Sequence, residues 1–311
     1  MRGSQRTIKL TTWFLSKVMF LSATPHPRTR ELGGDGGGHW YYPDGRPLHT
    51  VQSKDGSERN TTKRDARKLG LYPSVTTITK VIGNPSLDRW KQQQMLNACV
   101  AMPIRQGEDL AEYEAKVKGM AQKKMVDARA FGSLMHNAID ELNKSFFLGS
   151  EYSEIADYVK HYAQWLKESK VEILDSEFVA VSNRYGYAGQ VDAIAKVDGK
   201  MTLLDYKTQD VKADSKGNLK PNYYDSWLWQ LAAYKNAEWV GKPKRITQVM
   251  SVVLCSHTPA PPMIKVWSKD ELKAGWKTFR AACEIWQLTN KFDPSRNVEL
   301  IKSNTNGQVA A

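Results

Sequence analysis

Apolar and polar positions alternate like a strand over Val171–Val181 in the second half of the chain, and two shorter runs after it have strand-like composition. Val171–Val181 (VEILDSEFVAV), Gln190–Val197 and Lys200–Lys207 therefore each predict a strand. Asn183–Gly189 (NRYGYAG) is a turn-rich approach to the second of them, and Gln248–Cys255 and Met263–Trp267 predict two more strands. Helical spacing governs most of the rest. Thr62–Leu69 predicts a short basic helix closed by Gly70. A second helix begins within Pro73–Ile78, with Ser74 or Thr76 as its cap. Leu87–Val100, Glu108–Leu148 (broken near Gly119), Ser153–Ser169, Asp225–Val240 and Asp270–Leu288 follow as helices. Gln209–Pro221 is a polar, Lys-rich loop, and the tail after Asn290 is expected to fray. No internal repeat interrupts this order. Helices, then strand, hairpin, helix and two strands, then a closing helix predict a mixed α/β sheet with helices packed on it.

The start of the chain is organised differently. Residues 1–30 carry six basic groups and no acid, and the apolar patch Trp13–Leu21 is broken by Ser16 and Lys17. A poor signal peptide, an organelle presequence and an appended leader ahead of Met19 all fit; a dispensable leader fits best. Gly33–Gly38 (GGDGGG) reads as a flexible linker. The expected division is a basic leader and linker over 1–38, one domain over 39–290 and a polar tail over 291–311. Within that domain, His39–Val51 reads as an extended aromatic segment around a Pro-Asp-Gly turn.

Composition narrows the function classes. The 311 residues carry a net charge of +12, which favours a polyanionic partner, nucleic acid first and an acidic membrane surface second. No run of about 18 apolar residues predicts a membrane span. The cysteines, Cys99, Cys255 and Cys283, are widely spaced, with no C-x-x-C pair for a zinc knuckle and no set of four for an iron–sulfur cluster. They read as free thiols in a reducing compartment. Residues 59–91 hold eight basic groups against Asp65 and Asp88 and flank Tyr72 and Trp90. Such a run is ordinarily a solvated face, but basic groups interleaved with aromatics also suit a strand of nucleic acid.

Candidate chemistry gathers on the hairpin Gly189–Thr208 (GQVDAIAKVDGKMTLLDYKT). Asp198-Gly199 favours a type I′ turn. With those two residues as the loop, Val197 faces Lys200, Ala195 faces Thr202 and Ile194 faces Leu203. Asp192 is then opposite Asp205. Carboxylates so opposed have Cβ atoms roughly 5 Å apart and repel, unless a cation sits between them. Lys207 shares the face of Asp205, because strand side chains alternate, and Tyr206 points away. Two carboxylates and an ammonium on one face predict a divalent-cation site with a cationic helper. Two helices offer further groups. Gly132, His136 and Asp140 share one face, beside a stripe of Met135, Ile139 and Leu142. A lone histidine beside such a stripe is ordinarily structural, but Gly132 permits a close neighbour. Gln230 sits in the stripe of Trp227, Leu231 and Tyr234, where a buried amide needs partners.

These residues, in order, resemble a known family. G-x-x-x-H ending at His136, G-x-V-D ending at Asp192, D-Y-K-T at 205–208 and Q-x-x-x-Y at Gln230 and Tyr234 resemble the RecB-like branch of the PD-(D/E)XK nucleases. P-S-V-T-T-I at 73–78 is similar to the N-terminal motif of those exonucleases. The stretch Tyr41–Ile82 is similar to exonucleases of bacteriophages and prophages. The resemblance spans roughly residues 40–240. It implies a restriction-endonuclease-like α/β core with a helical, basic N-terminal part. It implies metal ligation by His136, Asp192 and Asp205, with the Tyr206 carbonyl as a further ligand. Lys207 would orient the attacking water, Gln230 and Tyr234 would hold the site and the DNA backbone, and Ser74 and Thr76 would contact phosphate. The ligand set suits Mg²⁺ or Mn²⁺, the imidazole making Mn²⁺ a comfortable occupant. Lacking four cysteines, the chain departs from the cluster-bearing members of that branch. The implied activity is a metal-dependent DNA exonuclease, phage-encoded, acting in recombination, repair or degradation in the bacterial cytoplasm, with a single-strand annealing protein as a conceivable partner. The alternatives are a structure-specific endonuclease and a non-catalytic DNA-binding protein on a nuclease scaffold.

Overall fold

The computed structural model describes residues 38–238 and 245–296. The leader and nearly all of the linker, the end of the segment expected as helix to Val240, and the last residues of the tail lie outside them. In chain order the elements are β1 (Trp40–Tyr41), β2 (Thr50–Gln52), β3 (Glu58–Asn60), α1 (Lys63–Leu69), β4 (Tyr72–Pro73), α2 (Val75–Thr79), α3 (Pro85–Ala101), α4 (Leu110–Ser145) and α5 (Ala156–Glu168). Then follow β5 (Val171–Ser182), β6 (Tyr187–Val197), β7 (Lys200–Gln209), α6 (Asp225–Lys235), β8 (Gln248–Cys255), β9 (Met263–Val266) and α7 (Lys269–Asn290). The last five strands form one sheet in sequence order. All its pairs are antiparallel except β7–β8, which is parallel and bridged by α6. A parallel step needs such a crossover, because a tight turn only reverses the chain. The expected mixed sheet with helices on it is the observed architecture.

The hairpin register is the one read from the turn. Val197 pairs with Lys200, Ala195 with Thr202 and Ile194 with Leu203. Asp198 and Gly199 both have positive φ, 47° and 74°, as a type I′ turn requires. One face of the sheet is covered by α6, α7 and α2, burying Ile194, Leu203, Leu231, Val249 and Phe279 together with Trp40 and Ile78 from the N-terminal part. The other face is covered by α4 and α5, burying Ala193, Ala195, Leu204, Tyr206 and Val252 against Met135, Ile139 and Tyr162.

Several boundaries differ from expectation. Gly119 does not break α4, which runs unbroken for 36 residues; one interior glycine costs only about 1 kcal/mol relative to alanine. Residues 150–155 form a 3₁₀ turn ahead of α5. α6 stops at Lys235, where the Asn236 N–H and side-chain amide both fold back on the Ala232 carbonyl. The chain then pairs the Glu238 N–H with the Val181 carbonyl of β5. The tail does not fray at Asn290: Phe292 is buried against Trp286 and Pro294–Arg296 form a 3₁₀ turn. Part of the basic run is structural. Lys63 and Arg67 on α1 donate to the Asn290 side chain and to the Asn290 and Lys291 carbonyls, closing the C-terminus of α7. No helix among the described residues is long and apolar enough to cross a membrane.

Candidate active site

The sheet is irregular at one place, and the candidate residues meet there. Strand β5 shifts register against β6 between Ile173 and Asp175. Two residues past that shift, Glu177 takes φ 52°, in the left-handed region. Strand β6 responds by turning over. Val191 and Ile194 both belong to the core under α6 and α7, and Ala193 and Ala195 to the core under α4 and α5. Strict alternation would put Val191 and Ile194 on opposite faces, so the switch falls at Asp192. The β6–β7 ladder ends beside it, at Ala193 opposite Leu204. Asp192 Oδ2 then accepts the Tyr206 N–H at 2.7 Å. The ladder thus ends one pair short of the predicted Asp192–Asp205 opposition, and the Asp192 side chain bonds the Tyr206 N–H instead.

Helix α4 brings His136 to this split. Its Nδ1 lies 3.6 Å from Asp192 Oδ1. Gly132, one turn earlier, permits the approach: a Cβ there would lie 3.1 Å from Thr208 Oγ1 on β7. Met135, Ile139 and Leu142 are buried as the stripe predicted. Asp140, the third residue of that face, accepts the Ser176 hydroxyl at 2.7 Å and so ties α4 to β5 beside Glu177. His136, Glu177 and Asp192 each offer a ligand atom, all within 4.8 Å of one another. An imidazole with two carboxylates in that space fits a divalent cation. Glu177, whose carboxylate also accepts from the Gln190 amide, was not foreseen. The only sign of it in the sequence is the polar run Asp175-Ser176-Glu177 inside an otherwise alternating strand.

Asp205 stands apart from that trio and leads into a second chain of contacts. It is buried, and its Oδ1 accepts from Lys207 Nζ at 2.6 Å. Lys207 Nζ also donates to Gln230 Oε1 at 3.3 Å, and Gln230 Nε2 donates to the Tyr234 hydroxyl at 3.1 Å. The amide inside the apolar stripe of α6 thereby finds its partners. The Tyr234 ring lies against Gly189, where an added Cβ would come within 2.7 Å of it. On the other face of β7 the Tyr206 hydroxyl meets the Tyr162 hydroxyl at 2.7 Å and the Asn143 amide at 3.4 Å. Burial pushes the Tyr162, Tyr206 and Tyr234 phenols well above the usual range. These hydroxyls stay protonated and hold geometry, carrying no charge. In an extended strand a residue's N–H and C=O project to the same edge, so the Tyr206 carbonyl faces the Asp192 side.

Ser74 precedes α2 and Thr76 lies in its first turn. Ser74 is buried and is the N-cap: its Oγ accepts the Thr77 N–H at 3.0 Å and bonds the Thr76 and Thr77 hydroxyls. Thr76 is exposed. Ser74 also bridges to Ala188 of β6, next to Gly189. Cys99, Cys255 and Cys283 are free thiols, the last pushed up to about 12 by burial.

Comparison with known proteins gives this geometry a frame. Residues 123–261 match the family model described as the PD-(D/E)XK nuclease superfamily. No curated protein matches the chain. One similar solved structure, "Crystal structure of SSO0001", shares 14% identity over 65% of this chain and 85% of that chain, at a TM-score of 0.25. The matched segment holds His136, Glu177, Asp192, Asp205, Lys207, Gln230 and Tyr234, and its mixed, helix-flanked sheet accords with a restriction-endonuclease-like fold. Residues 123–261, somewhat under half of this chain, are thus similar to the PD-(D/E)XK nuclease superfamily.

Proposed function

We propose that this chain is a metal-dependent DNA exonuclease of the bacteriophage and prophage type, hydrolysing phosphodiester bonds in recombination, repair or degradation of DNA. One observation carries the reading. The ligand trio His136, Glu177 and Asp192 and the cation relay Asp205, Lys207, Gln230 and Tyr234 flank the same split between β6 and β7.

Roles follow from position. His136, Glu177 and Asp192 would hold Mg²⁺ or Mn²⁺, with Asp205 and the Tyr206 carbonyl on the adjoining strand as further oxygen donors. The bound cation supplies activation of water and neutralisation of charge on the scissile phosphate. Lys207 is fixed at both ends of its reach, by Asp205 and Gln230, yet its side chain remains 20% accessible. It orients the attacking water and stabilises the negative charge that develops on phosphate. Gln230 and Tyr234 keep that ammonium in place. Thr76 offers an exposed hydroxyl to the DNA backbone, and Ser74 fixes the turn that presents it. The net charge of +12 draws in the polyanion. On this reading the activity belongs in the bacterial cytoplasm, with a phage single-strand annealing protein as its partner.

The test is digestion of end-labelled linear DNA and closed circular DNA with Mg²⁺, Mn²⁺ or EDTA, with Lys207→Ala alongside. The expected outcome is metal-dependent loss of linear DNA only, reduced on the order of 100-fold or more in Lys207→Ala with DNA binding nearly intact. Cutting of circles would make the protein an endonuclease. Binding without cleavage under any metal would make it a DNA-binding protein on a nuclease scaffold.

A further inference from the structure

The surface beside Lys207 is aromatic. Trp227, in the first turn of α6, turns its ring face toward Lys207 Nζ, 6.0 Å from the ring centroid. Tyr224 meets Trp227 edge-on at 5.2 Å and 82°, and Tyr223 does so at 6.4 Å and 84°. Trp227 and Tyr223 are anchored, packing on the buried Val211, Val253 and Cys255. Tyr224 is not buried: it is 46% exposed, and its side chain makes no capping bond although it stands at the N-cap of α6. Tyr224, braced edge-on by a packed tryptophan that itself faces the lysine of the site, leaves nearly half of its surface to solvent there.

The loop leading into these rings carries exposed Lys212, Lys216 and Lys220. Its base is clamped where Gln209 and Asn222 exchange two hydrogen bonds, of 3.1 and 2.8 Å. The carboxylates among these lysines are partly occupied. Asp214 accepts the Lys216 and Asn218 N–H groups at the loop tip, and Asp210 lies 3.9 Å from His257. Asp225 stands in the first turn of α6, where the helix dipole favours it.

We propose that Tyr224, braced by Trp227, is a stacking platform for a nucleobase of single-stranded DNA, so that an unpaired strand is the form presented to Lys207. Within a duplex each base face is covered by its neighbours. An unpaired strand offers free π-faces, which aromatic side chains take up without regard to sequence, while lysines follow the phosphates. The inference rests on the nuclease reading for its placement beside the cleavage centre.

The test separates base stacking from phosphate attraction. Binding of oligo(dT) and of an abasic oligomer of equal length is measured by fluorescence anisotropy in EDTA, for wild type, Tyr224→Ala and Tyr224→Phe. Tyr224→Ala is expected to weaken oligo(dT) binding about 5- to 100-fold, Tyr224→Phe to restore it, and the abasic oligomer to bind all three alike. Equal losses on both oligomers, or no loss on either, would overturn the proposal. Wild-type cleavage with Mn²⁺ is followed on a single strand and on a blunt duplex of the same sequence. Faster cleavage of the single strand supports the inference, and equal or faster cleavage of the duplex overturns it. Absence of cleavage from both would sink the nuclease reading and leave the binding result to decide the stacking one.

Discussion

Glu177 places a side chain with a Cβ at φ 52°, where an L-residue is disfavoured by about 1–2 kcal/mol. Strain of this kind persists where the surroundings over-determine it, and here the residue lies among His136 and Asp192. Glycine tolerates that backbone and alanine does not. Glu177→Gly is therefore expected to melt above Glu177→Ala by about 1 kcal/mol, reversing the usual strand order in which glycine is the worse by about 0.5–1 kcal/mol. Both variants should lose at least about tenfold in metal-dependent cleavage. Thermal melts in EDTA and turnover with Mn²⁺ check the pair. Alanine melting above glycine would remove the strain argument, and full turnover in either would remove Glu177 from the site. The Asp198-Gly199 turn sets a register that was legible by simple counting as far as Ala193 opposite Leu204. Glu177 was not. Its position depends on a register shift and a positive φ in β5, and alternation alone sends its side chain elsewhere.

At the level of elements, α6 and β6 are in contact through Gly189 and Tyr234. An alanine Cβ at 189 would meet Tyr234 Cε1 at 2.7 Å and its hydroxyl at 3.0 Å. Tyr234 is buried, so it has to shift, and the shift passes through Gln230 to Lys207. Gly189→Ala is expected to destabilise the fold by about 1–3 kcal/mol, as overpacking does, and to lower turnover more than it weakens DNA binding. Wild-type melting and turnover would show that the two elements are not in rigid contact. The elements themselves were largely readable. The hairpin, the mixed sheet and the helices on it follow from period and turn chemistry. The ends were less so. α6 stops early because Glu238 pairs with β5, a contact 57 residues away in sequence. Phe292 is buried by packing on Trp286 that no local pattern announces.

For the whole molecule, the charge of +12 favours a polyanionic partner but does not say how the charge is used. Lys63 and Arg67 close the end of α7. Lys207 is held by Asp205 and Gln230, and Lys212, Lys216 and Lys220 stand free of the core on one loop. Composition sums these roles and cannot sort them. The reading as a whole turns on Asp192, which joins β6 to β7 through the Tyr206 N–H and faces His136 across 3.6 Å. Asparagine keeps an oxygen for that N–H and removes the charge a cation needs. The most direct measurement is therefore Mn²⁺ binding by titration calorimetry together with cleavage of end-labelled linear DNA, for wild type and Asp192→Asn. The expected result is Mn²⁺ binding and cleavage in wild type, and in Asp192→Asn loss of that binding with cleavage reduced on the order of 100-fold or more, melting and DNA affinity being kept. Asp192→Asn that still binds Mn²⁺ and cleaves at the wild-type rate would contradict the assignment of the site.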